Sequence, residues 1–339
     1  MSKSSLFFVA TLSLLFMFIS CVSCEPTNDA EDADPSTVIP VFYKSLFTDK
    51  SYANGFYVSS TNEANSSMQG KLDYGGTVTA TPVWRIGQWN CINNDMLLAN
   101  YLFLNNQHEY RTGVTGNRIA VNTINGTLTL ELNASTEYGL NGITSNPRKQ
   151  NEPWPALLCD CSLPETRILK ISDKSEIRMA LEYKVLKIED KMPVGTTDVN
   201  LHTAHFQWFI TVQNRNKSSE EYGRYIWFGL NFHDKRYDYA PFYAAQDGGK
   251  ENNTGAFIYM PEMQPLMVAH GKSEIGRKFN VDINILPIIR KAFTLAQQRN
   301  FLTKTKWEEL YIGGTNIGWE VSGTYDVSVE VYKFDIKYL

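Results

Sequence analysis

The sequence lacks the motifs that mark several large classes of enzyme. It has no Gly-rich phosphate-binding loop, no Walker pattern, no G-x-S-x-G segment and no internal repeat. The formal net charge is -4, and no dense stripe of Lys and Arg runs through the chain. We therefore expect no nucleic-acid partner, and the residues give no reason to expect a cofactor.

Cysteine is scarce after residue 24: this part of the chain contains only Cys91, Cys159 and Cys161. Three cysteines do not make a disulfide framework, and a chain of this size does not need one. We interpret them as small buried hydrophobic residues, with one bridge from Cys91 to either of the other two as the alternative. Because no His is near them in sequence and no Asp-rich calcium loop occurs, we expect no bound metal.

A long apolar run occurs at the start of the chain, within residues 1–24, and no later segment is long and apolar enough to span a bilayer. One Lys precedes this run, as in a secretory signal peptide. The segment FISC resembles the lipobox of bacterial lipoproteins, which implies lipidation of Cys21, and Cys24 is a second candidate. Here Phe18 replaces the usual Leu, and an ordinary signal peptide is the alternative. We expect an exported protein, either secreted or held at the cell surface by a lipid anchor.

Residues 25–39 are acidic, contain Pro and have no aromatic residue, which predicts a flexible linker. Strand-like segments then follow without interruption, which predicts a single domain over residues 40–339. The segments are VTATPVWRIGQW, NRIAVNTINGTLTLELNAS, EIRMALEYKVLKIED, HFQWFITVQN, RYIWFGLNFHD and TYDVSVEVYKFDIKYL. They predict an all-β fold, an antiparallel jelly-roll β-sandwich, and we expect a monomer.

One stretch breaks the β pattern and predicts a single amphipathic helix near the C-terminus. PIIRKAFTLAQQRNFL opens with Pro287 at a position suited to the first turn of a helix. Its apolar residues fall along one side: Ile288, Ile289, Ala292, Phe293, Ala296 and Phe301. We expect this helix to pack on the β-sandwich.

Alternation within the strand segments predicts which side chains form the core and which face solvent. The predicted core residues are Leu128, Leu130, Leu132, Phe206, Trp208, Ile210, Ile226, Phe228, Leu230 and Phe232. The predicted polar faces carry His205, Gln207 and Thr211 on one strand, and Tyr225, Trp227, Asn231 and His233 on another. In the hairpin tip TINGT, Asn125-Gly126 predicts a turn with positive φ.

The second of these polar faces has the composition that sugar binding requires. A concave, solvated sheet can bind a polysaccharide when aromatic planes stack on the sugar rings and amides or carboxylates bind the hydroxyls. We therefore assign Tyr225, Trp227, Asn231 and His233 to substrate binding, together with Trp319 beside Glu320. For any single Trp the alternative is that it fills the core.

The C-terminal segment LYIGGTNIGWEVSGTYDVSVEVYKFDI follows the predicted helix. This order resembles the end of the family 12 glycoside hydrolases, which are endoglucanases with a concanavalin-A-like jelly roll. In that family one helix precedes a strand with a glycine-flanked glutamate and a last strand closes the fold. The resemblance implies that Glu320, between Gly318 and Gly323, is a general acid/base and that the substrate is a β-glucan-type polysaccharide.

The chain departs from that family at the second catalytic group. Family 12 enzymes retain configuration and use a glutamate nucleophile on a strand similar to GRYIWFGLNF, where this chain has Gly223 or Tyr225 instead. The substitutes in sequence are Glu182, Glu220, Glu221 and Asp234. Each has an ordinary explanation on a solvated face or loop. The sequence therefore names no nucleophile.

Three functions remain open from the sequence. The first is a glycoside hydrolase with Glu320 as its acid/base, and the second is a non-catalytic glycan-binding protein. The third is a structural or adhesive surface protein without sugar chemistry, which predicts that the Trp-rich strands all point inward. The polar cluster of residues 233–239, HDKRYDY, also contains the Arg, His and Tyr that a polysaccharide lyase needs. An ordinary polar loop explains this cluster as well. A second carboxylate facing Glu320 across a groove would favour the hydrolase.

Overall fold

The computed structural model describes residues 42–64, 67–248 and 254–339. The predicted leader (1–24) and linker (25–39) lie outside these ranges, so their assignments stay predictions. From Phe42 to Leu339 the described chain forms one compact unit. In this unit no described helix has the length and apolar character needed to cross a membrane.

Strands make up most of the described chain. In chain order they are β1 (Lys44–Ser45), β2 (Phe56–Ser59), β3 (Met68–Leu72), β4 (Trp84–Gly87), β5 (Asn100–Leu104), β6 (Gln107–Arg111), β7 (Arg118–Asn122), β8 (Thr127–Asn133), β9 (Ala156–Ser162), β10 (Leu169–Lys170), β11 (Ile177–Asp190), β12 (Ala204–Asn214), β13 (Tyr225–Asp234), β14 (Tyr243–Gln246), β15 (Phe257–Met260), β16 (Lys278–Asn284), β17 (Leu310–Val321) and β18 (Tyr325–Tyr338). They are short at the edges and long in the centre of each sheet.

These strands form two sheets of a jelly-roll β-sandwich, the fold class that the sequence predicts. Sheet A has the order β16, β11, β18, β8, β7, β6, β5, with β1 also paired to β18. Sheet B has the order β14, β15, β13, β12, β17, β9, β4, β2, β3, with β10 also paired to β17. Most neighbouring strands are antiparallel, but β2–β4 and β13–β15 are parallel pairs, which the prediction of an antiparallel sandwich missed.

The hydrophobic core lies between the two sheets. The rings of Trp208 on β12 and Phe334 on β18 have centroids 4.6 Å apart, and those of Phe206 and Tyr183 lie 5.2 Å apart, so aromatic contacts join sheet B to sheet A. The ten residues predicted to face the core are all buried. Burial of each such side chain stabilises the fold by about 1.5–3 kcal/mol. Because side chains alternate, the opposite face of sheet B is left to solvent.

The turn between β7 and β8 has the predicted conformation. Gly126 has a φ of +72°, and a Cβ at this position would lie 2.7 Å from the carbonyl oxygen of Lys50. A side chain is therefore excluded both by the backbone conformation and by the close approach of another loop.

The predicted amphipathic helix is α2 (Leu286–Gln298), in which Ile289, Ala292, Phe293 and Ala296 are buried. It ends before Phe301, which is buried outside the helix, because the chain turns at Asn300 with a φ of +61°. Among the described residues there is also a one-turn helix, α1 (Gln264–Met267), that the sequence did not predict. A single turn is too short to show a helical period.

Cys91, Cys159 and Cys161 are free thiols buried in the core. Their positions agree with the interpretation as small buried hydrophobic residues, and the alternative disulfide is not formed. Burial raises the pKa of Cys161 to about 11, so this thiol stays protonated at neutral pH.

Candidate active site

The face of sheet B that points away from sheet A carries an open cleft of about 590 Å³. Four strands, β13, β12, β17 and β9, lie side by side beneath it. Their register aligns the outward-facing residues in four rows: Asp234, His205, Glu320 and Ala156; Asn231, Gln207, Gly318 and Leu158; Gly229, Phe209, Asn316 and Asp160; Trp227, Thr211, Gly314 and Ser162. Successive rows are about 7 Å apart, since a strand rises 3.4 Å per residue.

A β-bulge at Phe232 decides which residues of β13 face the cleft. Asn231 and His233 pair with two consecutive residues of β12, so Phe232 is one extra residue in β13. One extra residue reverses the alternation of the side chains that follow it. Asp234 therefore lines the cleft, while His233 turns toward the interior, where its ring lies 6.3 Å from that of Trp319.

The interior position of His233 contradicts its assignment to substrate binding. Its Nδ1 lies 3.0 Å from the hydroxyl of Ser273, and its Nε2 is buried without a hydrogen-bond partner in the described part of the chain. Burial lowers the pKa of His233 to about 4, so the ring is neutral at pH 7. Uninterrupted alternation along β13 would place His233 in the cleft, and the bulge at Phe232 breaks that alternation.

Asp234 is held in place by three side chains. Its Oδ1 accepts hydrogen bonds from Thr203 at 2.8 Å and from Arg236 at 2.9 Å. Its Oδ2 lies 2.8 Å from the Arg236 guanidinium and 3.0 Å from Nε2 of His205. Burial raises the pKa of Asp234, but hydrogen bonds from His205 and Arg236 outweigh burial and hold the pKa well below its usual range. Asp234 is therefore ionised at any ordinary pH.

The Asp234 carboxylate and the Arg236 guanidinium both meet Nε2 of His205, each at 3.0 Å. We assign the His205 proton to Nε2, because this nitrogen then donates to the ionised Asp234, and Nη2 of Arg236 has its own acceptor in Oδ2 of Asp234 at 2.8 Å. Nδ1 keeps a lone pair in this tautomer, and it makes no hydrogen bond to the described residues. His205 lines the cleft next to Glu320, and 24% of its side chain is exposed. The imidazole is therefore a candidate base.

Glu320 lines the cleft as predicted, and a tryptophan on a neighbouring loop restrains it. The indole Nε1 of Trp154 donates to Oε2 of Glu320 at 3.3 Å. The guanidinium of Arg148 lies over the Trp154 ring, 5.2 Å from its centroid. Arg148 itself donates to the backbone carbonyls of Lys149, Glu152, Leu201 and Ser322. Arg148 thus joins the loop that carries Trp154 to the backbone at Leu201 and Ser322.

Trp319 does not belong to the cleft, which contradicts its assignment to substrate binding. It is fully buried in the core, where its ring lies 5.5 Å from that of Phe206. Adjacent residues of a strand point to opposite faces, so Trp319 cannot share a face with Glu320. Trp154 takes the position beside the carboxylate that the sequence analysis gave to Trp319.

Trp227 and Asn231 line the cleft, whereas Tyr225 lies farther along the same face. Tyr225 borders a smaller pocket of about 180 Å³, here called the distal pocket, which adjoins the cleft at Trp89, Phe209 and Trp227. The roles of Tyr225, Trp227 and Asn231 in substrate binding stay predictions.

Aromatic side chains form the walls of the cleft. Trp89 and Trp154 stand on the side of β9. On the other side, the loop after β13 and the first residue of β14 supply half-exposed rings: Tyr237, Phe242 and Tyr243. In the floor, Phe209 meets Trp227 edge-on at 5.5 Å. Phe209 lies across Gly229, where a Cβ would come within 2.2 Å of the ring. This position therefore needs glycine to admit the ring.

Of the four predicted substitutes for the missing carboxylate, the structure brings Asp234 to the cleft and places the others elsewhere. Glu182 pairs with Lys278 on sheet A, Glu220 pairs with Lys304, and Glu221 is buried beside Arg224. From HDKRYDY, Asp234 and Arg236 line the cleft, whereas Asp238 pairs with Lys272 on the surface.

Several cleft residues had no sequence signal. His205 and Gln207 were placed on the polar side of their strand by alternation, but nothing marked them as functional. Glu63, Asp247 and Phe242 lie in loops, where no period applies. In the described residues no group of three or more His, Cys, Asp or Glu side chains is arranged to hold a metal ion.

No protein-family model and no curated protein matches the chain. Among solved structures it is similar to a family 12 xyloglucanase from Bacillus licheniformis, with 12% identity over 71% of this chain and 97% of that one and a TM-score of 0.40. It is also similar to the endoglucanase cel12A from Rhodothermus marinus, with 9% identity over 71% of this chain and 96% of that one and a TM-score of 0.38. A family 11 xylanase from Neocallimastix patriciarum is similar as well, with 9% identity over 71% of this chain and 95% of that one and a TM-score of 0.37. Likeness at this level concerns the fold and not the chemistry of the cleft.

Proposed function

We propose that this chain is an exported hydrolase of an uncharged, β-linked polysaccharide. In the proposed reaction Glu320 donates a proton to the leaving sugar, and His205 with Asp234 activates water. The observation that carries the proposal is the row formed by Asp234, His205 and Glu320 in the floor of an open, aromatic-walled cleft. The apolar run within residues 1–24 supports export.

The spacing of the two carboxylates supports an inverting reaction. Asp234 and Glu320 each pair with His205, so two strand spacings separate their Cα atoms, about 10 Å. Retaining enzymes have carboxyl groups about 5–5.5 Å apart, and inverting enzymes have them about 6.5–9.5 Å apart, which leaves room for water. These ranges join carboxyl groups and not Cα atoms, and a Cα separation of two strand spacings favours the wider range. Because Asp234 is almost fully buried, we place the water on Nδ1 of His205. Asp234 then orients the imidazole and stabilises the positive charge that the ring gains when it takes a proton from the water.

The charges of the cleft support an uncharged substrate. The described residues that line it include four acids, Glu63, Asp234, Asp247 and Glu320, and one guanidinium, that of Arg236. That guanidinium already makes hydrogen bonds to both oxygens of Asp234. A uronic-acid polymer would therefore meet net repulsion, which speaks against a lyase acting on acidic polysaccharides.

A non-catalytic glycan-binding protein is the second candidate. The observation that favours it is the complete use of Asp234 in hydrogen bonds to Thr203, His205 and Arg236, an arrangement that a purely structural carboxylate would also show. In that case Glu320 only binds sugar hydroxyls. The wild-type chain would show no turnover, and replacing Glu320 would weaken polysaccharide binding.

The test is reducing-end release by the full chain from xyloglucan, mixed-linkage β-glucan, xylan, mannan and polygalacturonate. Wild type is compared with Glu320→Gln and with Glu182→Gln, a matched control on the outer face of sheet A. We expect Glu320→Gln to lower turnover of a neutral polymer at least about 100-fold, the usual contribution of a general acid, and Glu182→Gln to leave it unchanged.

Two further readouts separate the alternatives. Proton NMR of the first product should show the anomeric configuration inverted, and retention would contradict the water-activating role of His205. Affinity electrophoresis in the same polymers reports binding. Retarded migration with no release by wild type would establish the binding protein in place of the hydrolase, and an unsaturated product from polygalacturonate would establish a lyase.

A further inference from the structure

One edge of sheet A is the strand β5, and its composition is unusual for an edge. In the described part of the chain β5 pairs only with β6, so its other side carries unpaired backbone groups. The edge strands β3 and β16 carry exposed lysines, Lys71 and Lys278, and such charges discourage pairing with another chain. In contrast β5 (NYLFL) has no charged residue and no proline, and all five of its residues are exposed.

Apolar side chains of β5 stand in water on both faces of the sheet. Tyr101 and Phe103, on one face, are 36% and 53% exposed, and Leu102 and Leu104, on the other, are 55% and 60% exposed. Leu98, just before the strand, is 80% exposed. At about 200 Å² for each full side chain of this size, these five leave roughly 550 Å² exposed. An apolar patch of this size commonly marks an interaction site.

The turn after β5 fixes which of its backbone groups point to the free edge. Asn105 and Asn106 have φ values of +53° and +60° and form a two-residue turn to β6. In such a turn the residue before it bonds to the residue after it, so Leu104 directs its backbone groups toward β6. Because these groups alternate in direction along an antiparallel strand, those of Tyr101 and Phe103 point to the free edge.

A second copy of β5 can satisfy these groups in a symmetric register. When two such strands run antiparallel with Leu102 opposite Leu102, Tyr101 of each copy lies opposite Phe103 of the other, and these pairs exchange backbone hydrogen bonds. Aromatic side chains then pair across the strands on one face, which stabilises a sheet. No charge on β5 opposes this approach, and on β6 the carboxylate of Glu109 lies 2.6 Å from the Arg118 guanidinium.

We propose that β5 is the interface of a weak homodimer, in which two copies pair edge to edge and sheet A continues from one copy into the other. Two copies would cover about 1,100 Å² of the exposed patch, an area typical of weak, reversible complexes. The proposal does not rest on the proposed function. It departs from the monomer expected above, because the exposure of this strand becomes visible only in the fold.

The symmetry of this dimer also fixes where the clefts lie. Adjacent antiparallel strands of one sheet are related by a two-fold axis perpendicular to that sheet, so both copies keep sheet B on the same side of sheet A. The two clefts therefore open on the same side of the dimer and remain uncovered. A polymeric ligand would then have two attachment points, which raises its overall affinity without a new contact in either cleft.

The first test is sedimentation equilibrium of the full chain at concentrations from the micromolar to the millimolar range. Leu102→Lys places two like charges opposite each other at the two-fold axis. Ile124→Lys, at a turn residue that is 77% exposed and lies outside β5, is the matched control. We expect the mass of wild type and Ile124→Lys to rise toward twice that of the monomer, and Leu102→Lys to stay monomeric. A wild type that stays monomeric throughout, or a dimer that survives Leu102→Lys, refutes the proposal.

The second test is disulfide cross-linking, which reports the register. Opposite Cα atoms of antiparallel strands are about 4.5–5.5 Å apart, so Leu102→Cys should link two copies under mild oxidation. Leu104→Cys has similar exposure, but its two Cα atoms would lie about 14 Å apart, too far for a disulfide. Wild type shows any linking through the other cysteines. Equal yields of covalent dimer from the two variants would overturn the proposed register and with it the interface.

Discussion

Protonation of His233 should destabilise the folded chain by an amount that can be worked from its surroundings. Its imidazole faces the interior, and burial lowers its pKa to about 4, whereas an unfolded chain has a histidine pKa near 6.5. Between these values the unfolded state binds the proton more tightly, so the free energy of unfolding falls as the pH falls. The stability lost through this residue is about 2 kcal/mol at pH 5 and about 3 kcal/mol at pH 4.

The assay is urea unfolding of the full chain at a series of pH values from about 7.5 to 4. Wild type is compared with His233→Gln, which cannot titrate but can still bond to Ser273, and with Ser273→Ala, which keeps the imidazole. Wild type and Ser273→Ala should lose stability steeply below pH 6.5, and His233→Gln should lose about 3 kcal/mol less by pH 4. Parallel curves for wild type and His233→Gln would show that the imidazole is solvated. The bulge at Phe232 would then be misplaced, and with it Asp234.

Two further predictions concern the cleft. Trp154→Phe keeps an aromatic wall but removes the N–H that donates to Glu320. Turnover of a neutral polysaccharide should therefore fall about three- to tenfold, while the Tm stays unchanged. Unchanged turnover would contradict the positioning role of the indole. Gly229→Ala places a Cβ 2.2 Å from the Phe209 ring and should lower the free energy of unfolding in urea by about 1–3 kcal/mol. Gly248→Ala is its control, since the nearest atom of the described residues, apart from its chain neighbours, is 3.9 Å from the added Cβ. Equal stability of the two variants would refute the packing argument.

The layers of the fold follow from local sequence, because alternation is a property of each strand. Leu130 on β8 and Trp208 on β12 are buried where the period of two places them. The pairing of strands is different, since it is set by contacts between residues far apart in the chain. The parallel pairs β2–β4 and β13–β15 have no local signature, and a one-turn helix such as α1 is too short for a period to appear.

Part of the candidate site could be predicted from the sequence, because alternation within a strand also decides which side chains face the cleft. Alternation placed Trp227 and Asn231 on the open face, and the resemblance singled out Glu320. The assignment of Trp319 beside Glu320 was avoidable, because neighbours on a strand face opposite ways. That Asp234 faces the cleft and His233 does not could not be predicted from the sequence. The bulge responsible is fixed by the register of β13 with β12, and no residue type in β13 marks it.

That bulge also separates the length of β13 from the chemistry of the face. Loss of the codon for Phe232 would remove the extra residue, and Asn231, His233 and Asp234 would still pair with Gln207, Phe206 and His205. A chain one residue shorter at this strand would therefore keep a carboxylate beside His205, and regular alternation alone would place it in the cleft. Sequence alignments of relatives therefore need their gap placed at Phe232 before any catalytic residue is transferred.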